Sequence, residues 1–252
     1  MIKISRKIFF LRLEQIWFQN NISSTHDVIR YMRVPNKIEN DSRYIANNAS
    51  YTVITQLNKS EEELLKDMKK NVRYEIKKCI NEDVSISFYN SEDISENPSI
   101  LKEFENAYMT FASGNKKLTK AFSKRKIDSY CDNNCITLSS ATFPGGKVFH
   151  VYVNDENNTV LIYSASNFRE ENVDRNLAGR VNKLLHYKDM IYFKGLGLTT
   201  YDWGNISSPY EPNGIDVFKM SFGGEVCKVY NIYLGNSLIG NATILLLKKY
   251  LR

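Results

Sequence analysis

Two charged side chains stand where apolar residues dominate. Lys219 follows Phe218 and is flanked by Val217, Met220 and Phe222; Asp202 lies between Tyr201 and Trp203. An ammonium among that much apolar surface has two readings. It snorkels its head to water, or it holds its charge in a cleft where a reaction develops negative charge. A third group is His186, one of only three histidines with His26 and His150. It is either a satisfied interior histidine or a cleft residue able to move protons near neutral pH. No close Ser/His/Asp or Cys/His signature accompanies these groups, so triad hydrolysis is not expected.

The elements that must position them follow from local pattern. Thr199, Thr200, Tyr201 and Trp203 are strand formers, so Asp202 belongs at a strand end. Gly204-Asn205, Pro209, Pro212 and Asn213-Gly214 punctuate the loop that follows. Ile215 to Phe222 reads as a short helix stopped by Gly223-Gly224. His186 lies on a helix from Asn176 to Phe193. Leu177, Val181, Leu184 and Ile191 make one of its faces; Gly179, Asn182, His186, Met190 and Phe193 make a second. Such a helix is buried between layers or lines a cleft.

Upstream, Tyr51 to Leu57 is a strand. Ser60 and Glu63 form a capping box for a helix with Leu64, Leu65, Met68, Val72, Ile76 and Ile80 on one face. Its other face carries Lys66, Lys69, Lys70, Arg73, Lys77 and Lys78: a solvated face, or a phosphate or RNA contact. Val84 to Tyr89 is a strand, and Pro98 to Ser113 and Leu118 to Tyr130 are helices. The second of these lies in a basic stretch with Lys116, Lys117, Lys120, Lys124, Arg125 and Lys126. Ile136 to Thr142, Val148 to Val153 and Thr159 to Ser166 are successive antiparallel strands. Glu225 to Leu234 and Leu238 to Leu251 supply a last strand and helix. Asn20 to Ala49 reads as polar and loop-rich. The apolar run within Arg6 to Trp17, including Phe9 and Phe10, reads as a strand or short helix leading into the core.

Several of these stretches resemble the Fem-type aminoacyl transferases of the wider GNAT acyltransferase fold. They are Tyr201-Asp202-Trp203-Gly204-Asn205, Gly214 to Lys219, and Phe222-Gly223-Gly224-Glu225. With them go the basic helix from Leu64 to Lys78, the helix from Asn176 to Lys194, and Trp17-Phe18 with Asp27-Val28 and Tyr31. The likeness covers the chain in patches from about Trp17 to Tyr233. It implies a mixed α/β fold: a mostly antiparallel GNAT-like sheet flanked by helices, with an abbreviated N-terminal half. The expected division is residues 1–57, strands and loops packing on the core, and residues 58–252, the acyltransferase domain. The resemblance also implies transfer of an aminoacyl or acyl group to an amine of an amino sugar or cell-envelope precursor. Lys219 would stabilise the oxyanion, Asp202 would orient donor or acceptor, and His186 would join them as a catalytic candidate. Phe218, Arg73, Lys77, Lys78, Asn182, Arg180 and Trp203 are the expected substrate contacts. The donor would be aminoacyl-tRNA or acyl-CoA, with no tightly bound cofactor and no metal. The acceptor would be a nucleotide-linked or lipid-linked amino sugar.

CoA enzymes of this fold cradle a pyrophosphate on a Gln/Arg-x-x-Gly-x-Gly/Ala turn. The nearest match here, Asn176 to Val181, departs at both ends, which favours the tRNA donor. An acetyl-CoA-dependent N-acetyltransferase is one alternative. A non-catalytic module holding an anionic glycan or RNA is the other.

Composition agrees with a folded chain long enough for a sizeable core: 252 residues, 42% hydrophobic. The net charge of +6 suits an anionic partner. The four cysteines form no zinc pattern and are expected to be free, mostly buried thiols in a reducing compartment. Arg12 and Glu14 interrupt the N-terminal apolar run, and no segment approaches the ~20 apolar residues of a membrane span. The chain is therefore expected to be cytoplasmic, with peripheral association with a membrane surface.

Overall fold

The computed structural model describes residues 1–20, 22–39, 44–113, 119, 122–166 and 173–250. Lys116, Lys117 and Lys120 of the basic stretch lie outside them, as does Leu251. Among the described residues there are ten strands: β1 (Lys3–Ile8), β2 (Leu11–Trp17), β3 (Val28–Val34), β4 (Ile45–Gln56), β5 (Ser85–Asn90), β6 (Ile136–Phe143), β7 (Gly146–Asn154), β8 (Asn158–Ser166), β9 (Thr200–Ile206) and β10 (Glu225–Gly235). The helices are α1 (Glu61–Asp67), α2 (Lys70–Cys79), α3 (Ser91–Glu96), α4 (Ser99–Ala112), α5 (Lys124–Asp132), α6 (Arg175–Gly195), α7 (Gly214–Met220) and α8 (Leu238–Tyr250). This is the mixed α/β, mostly antiparallel architecture that the sequence implies.

The chain forms two compact units. The first comprises Met1–Val53, Asn205–Asp216 and Val226–Arg252; the second comprises Ile54–Gly204 and Val217–Glu225. In the first, β1 and β2 pair antiparallel, β2 and β3 parallel, and β3 and β10 antiparallel. Ile16, Ile29, Tyr31, Val34, Ile45 and Ile232 fill its core. Two expectations are corrected here. The polar stretch from Asn20 to Ala49 contains a buried strand, β3, because Val28, Ile29, Tyr31, Met32 and Val34 all turn inward. The run within Arg6 to Trp17 is strand and reaches the core at Ile16 and Trp17, but Phe9-Phe10 within it turn away as the tip of the β1–β2 hairpin, 90% and 73% exposed.

In the second unit, β5, β6, β7 and β8 pair antiparallel in sequence, and β9 joins β8 in parallel. β7 is buried along Val148–Val153 on both of its faces, which is the pattern of a central strand covered on each side. α6 covers β6 and β7 and packs on α2.

The capping box is present: Ser60 Oγ accepts from Glu63 N, and Glu63 Oε2 accepts from Ser60 N. The helix expected beyond it is broken at Met68–Lys69, where both residues take extended ψ angles. Apolar spacing continues through the break, so periodicity alone could not locate it. What fixes it is a tertiary bond: Lys69 N donates to Ser221 O at 2.9 Å. Burial pushes the Cys79 and Cys131 thiols up to about 11 and Cys135 to about 12, so these are packing residues and not thiolate nucleophiles.

Candidate active site

Lys219 stands in the last turn of α7 and is half-buried. Gly204 of β9 has φ +72°, and a Cβ built there would lie 2.7 Å from the Leu161 carbonyl oxygen and 3.7 Å from Lys219 Nζ. Only glycine fits such a left-handed position against a neighbouring strand. Its bare backbone lets the ammonium approach β9 within the strand. Asp202 and Gly204-Asn205 lie inside β9, not at a strand end and in the following loop as the sequence suggested, because the strand runs on to Ile206. Asp202 is buried, and its Oδ1 accepts from Gly204 N at 2.9 Å. The two residues expected to carry the chemistry therefore converge on one glycine.

Behind Lys219 lies His186. Its ring sits 4.7 Å from Trp203, 5.6 Å from Phe218 and 5.5 Å from Phe222, centroid to centroid. Burial, His150 and the Lys219 charge, in that order, hold its pKa well below 6.5. The imidazole is neutral, and its tautomer follows from its partners. Tyr152 has one hydroxyl proton and donates it to Asp189 Oδ2. Tyr201, 2.7 Å from the Tyr152 oxygen, must then donate to Tyr152. His186 Nδ1, 3.0 Å from the Tyr201 oxygen, must in turn carry the proton. His150 Nδ1 meets Asp189 Oδ2 from the other side at 2.6 Å, and Asn182 Oδ1 lies 2.9 Å from His150 Nε2. The two tyrosines, His186 and His150 Nδ1 thus direct their protons toward one carboxylate, and His186 keeps its lone pair on Nε2. The His150 Nε2–Asn182 contact needs a proton from His150 or from the Asn182 amide turned round. Burial first, then the Asp189 charge, raises both tyrosine hydroxyls well above their ordinary value, so neither supplies a phenolate near neutral pH.

His150, His186 and Asp189 also place one potential ligand atom each within 4.8 Å of one another. The two imidazoles are stacked at 3.9 Å with 22° between planes. Stacked rings direct their lone pairs along neighbouring planes and not at a shared ion, although Asp189 Oδ1 is buried without a hydrogen-bond partner. The two imidazoles fit a hydrogen-bonded core.

The other expected site residues are distributed as follows. Phe218 packs on His186 and lies 5.9 Å beneath Lys183 Nζ. Trp203 has no exposure and donates from Nε1 to Thr55 Oγ1 at 3.0 Å. Arg180 binds Glu82 Oε1 through Nε and Nη2 at 3.0 and 2.8 Å. Arg73 donates to the Lys66 and Met68 carbonyls at 2.8 and 2.6 Å, closing the end of α1. Lys77 and Lys78 are exposed on α2. Asn176 to Val181 forms the first turns of a helix. It lies inside α6, and the Asp174 carboxylate already accepts from Asn176 N and Leu177 N at 2.8 and 3.2 Å. A carboxylate on those amides repels the pyrophosphate they would otherwise hold.

Sequence reasoning missed His150, Tyr152, Tyr201 and Asp189 as partners. Two signals were present. His150 and Tyr152 are two apart on a strand, so they share a face. Asn182, His186 and Asp189 recur at i, i+4 and i+7 on one helix, so they share a stripe.

Neither a comparison with protein-family models nor one with curated proteins finds a match in sequence. Solved structures do match in fold. FemX aligns at TM-score 0.60 with 12% identity, covering 90% of this chain and 83% of its own. L-PGS from Bacillus licheniformis aligns at 0.56 with 10% identity, covering 99% and 85%. The C-terminal domain of a protein from Agrobacterium fabrum, assigned as a lysylphosphatidylglycerol synthetase, aligns at 0.55 with 8% identity, covering 88% and 72%. The chain shares the fold of these three proteins over most of its length.

Proposed function

We propose that the protein is an acyltransferase of the Fem type. It transfers an aminoacyl group from aminoacyl-tRNA to an amine of an amino sugar or cell-envelope precursor, carried on a nucleotide or a lipid. The acceptor's nitrogen lone pair attacks the ester carbonyl carbon, forming a C–N bond and an oxyanion. Collapse breaks the C–O bond to the ribose, and the proton lost by the amine ends on the leaving hydroxyl. Lys219, half-buried, would be the cation that stabilises the oxyanion. Asp202 holds the Gly204 backbone against which that cation rests. His186 is a positioning residue: kept neutral, it packs beside the ammonium without drawing off its charge.

The observation that carries this reading is the placement of Lys219 Nζ against Gly204, beside a neutral imidazole. The fold likeness to FemX, L-PGS and a domain assigned to lysylphosphatidylglycerol synthesis supports the reaction class and a cell-envelope acceptor. The Asp174 cap on α6 disfavours acyl-CoA as donor.

The test is product formation, read by mass spectrometry. Charged tRNA and acyl-CoA are offered separately, each with an amino-sugar nucleotide, a lipid-linked amino sugar or hydroxylamine as acceptor. Amide product from charged tRNA alone is expected. Lys219→Ala should lower kcat about 10²-fold or more with the fold retained, and Lys219→Arg should not restore it, because the two cations differ in shape and hydration. Product from acyl-CoA alone would indicate the acetyltransferase alternative. Binding without product from either donor would indicate a glycan- or RNA-holding module.

A further inference from the structure

Phe9 is 90% exposed and Phe10 is 73% exposed, at the tip of a hairpin whose last pair is Ile8 and Leu11. Ile8 beside them is 46% exposed. A two-residue hairpin loop is where Asn-Gly or Gly-X normally stands, because the backbone must turn left-handed. Phe9 takes that conformation with φ +54°, at an energetic cost that a glycine would not incur. The pair adds nothing to the core and strains the turn. A local rule broken without a folding gain marks a functional surface.

A second apolar surface lies beside it. α8 is apolar on both sides. Ile244 and Leu247 turn inward and pack with Leu11 and Leu13, the residues that follow the hairpin tip. Leu238, Ile239, Ala242, Leu245 and Leu246 face outward and are exposed, at i, i+1, i+4, i+7 and i+8. A helix whose outward stripe is apolar has a surface meant for something other than water. A cation stands at the tip: Lys7, next to Ile8, points outward from β1, while Lys3 points outward from the strand's far end opposite Ile16 and Arg12, the second residue of β2, is bonded to Asp27 at 3.3 Å. No helix among the described residues is long and apolar enough to cross a membrane.

We propose that the tip Ile8-Phe9-Phe10 and the outward stripe of α8 together dock this protein on an anionic lipid surface. The aromatic rings enter the headgroup boundary, and Lys7 meets the lipid phosphates. A basic residue beside exposed aromatic and aliphatic side chains is the combination that binds such interfaces, whereas a protein partner's apolar patch would leave the Lys7 ammonium uncompensated. The proposal stands independently of the transferase reading, since none of these residues belongs to the candidate active site.

The experiment is co-sedimentation of the full chain with vesicles of phosphatidylglycerol mixed with phosphatidylcholine, and with vesicles of phosphatidylcholine alone. Binding to the mixed vesicles, weakened by salt, is expected. The double variant Phe9→Gly/Phe10→Ser should lose about tenfold or more in partitioning. Its melting temperature should stay the same or rise, because glycine relieves the left-handed turn. Lys7→Glu should lose about fivefold or more, and Leu246→Ser should weaken binding without unfolding the chain. Equal partitioning of wild type and variants would overturn the proposal. So would a wild-type dimer in light scattering that the hairpin variant dissociates, since the surface would then belong to a second copy.

Discussion

His186 carries a stability consequence that can be worked out in sign. Its pKa is depressed in the folded chain, while in the unfolded chain it is about 6.5. Below pH 6.5 the unfolded state takes up a proton that the folded state refuses. Stability is therefore lost as pH falls from 6.5 toward the folded value, by up to about 1.4 kcal/mol per pH unit, and is insensitive to this group above pH 7. Urea midpoints measured between pH 5 and 8 should show that slope, and His186→Gln should flatten it. Equal slopes in the two proteins would mean the imidazole is not held neutral. At this scale the sequence was partly legible. Lys219 stands out among Phe218, Met220 and Phe222, and Asp202 between two aromatics. The partnership of Tyr152, Tyr201 and Asp189 was not legible. Tyr201 reaches Tyr152 only because β8 lies between their strands, and no local pattern encodes which strands are neighbours.

Elements were read best where their ends are marked by side-chain chemistry. The capping box of Ser60 and Glu63 and the Gly223-Gly224 stop fall where expected. They were misread where tertiary contact overrides pattern, as at Met68–Lys69, or where charged residues hide a buried strand, as Arg30 and Arg33 do in β3. β9 shows how much one position can decide. Gly204→Ala forces a side chain into a left-handed residue, which costs about 1–2 kcal/mol. It also brings a methyl group to 2.7 Å from the Leu161 carbonyl oxygen. The expected result is a lower urea midpoint, together with a fall in kcat larger than the fall in substrate affinity, because the displaced group is the one beside Lys219. Unchanged turnover in a folded Gly204→Ala protein would detach β9 from the chemistry.

For the whole molecule, neither unit is one continuous stretch. The chain passes between them after Val53, Gly204, Asp216 and Glu225. Such a division is invisible to composition or linker signals, since no Pro/Gly-rich boundary need mark it. The expectation of an N-terminal part ending near residue 57 can be tried directly by expressing residues 58–252. That piece lacks β3, which pairs with β10 from Tyr230 to Gly235, and it lacks Ile16, Ile29, Tyr31, Val34 and Ile45 of the first core. It should show no cooperative thermal transition for the first unit, with β10 left as an open edge prone to association. A soluble, cooperatively melting fragment would show that residues 1–57 are dispensable.

The bond from Lys69 N to Ser221 O joins the start of α2 to the residue two places beyond Lys219. α2 presents Lys77 and Lys78 outward, and under the proposed tRNA donor a polyanion would meet that surface. A nucleic acid leaning on that helix would thus pull on the same short segment that carries the ammonium. Under that proposal, loading of the outer face and alignment of the inner charge would be linked through the Lys69–Ser221 bond.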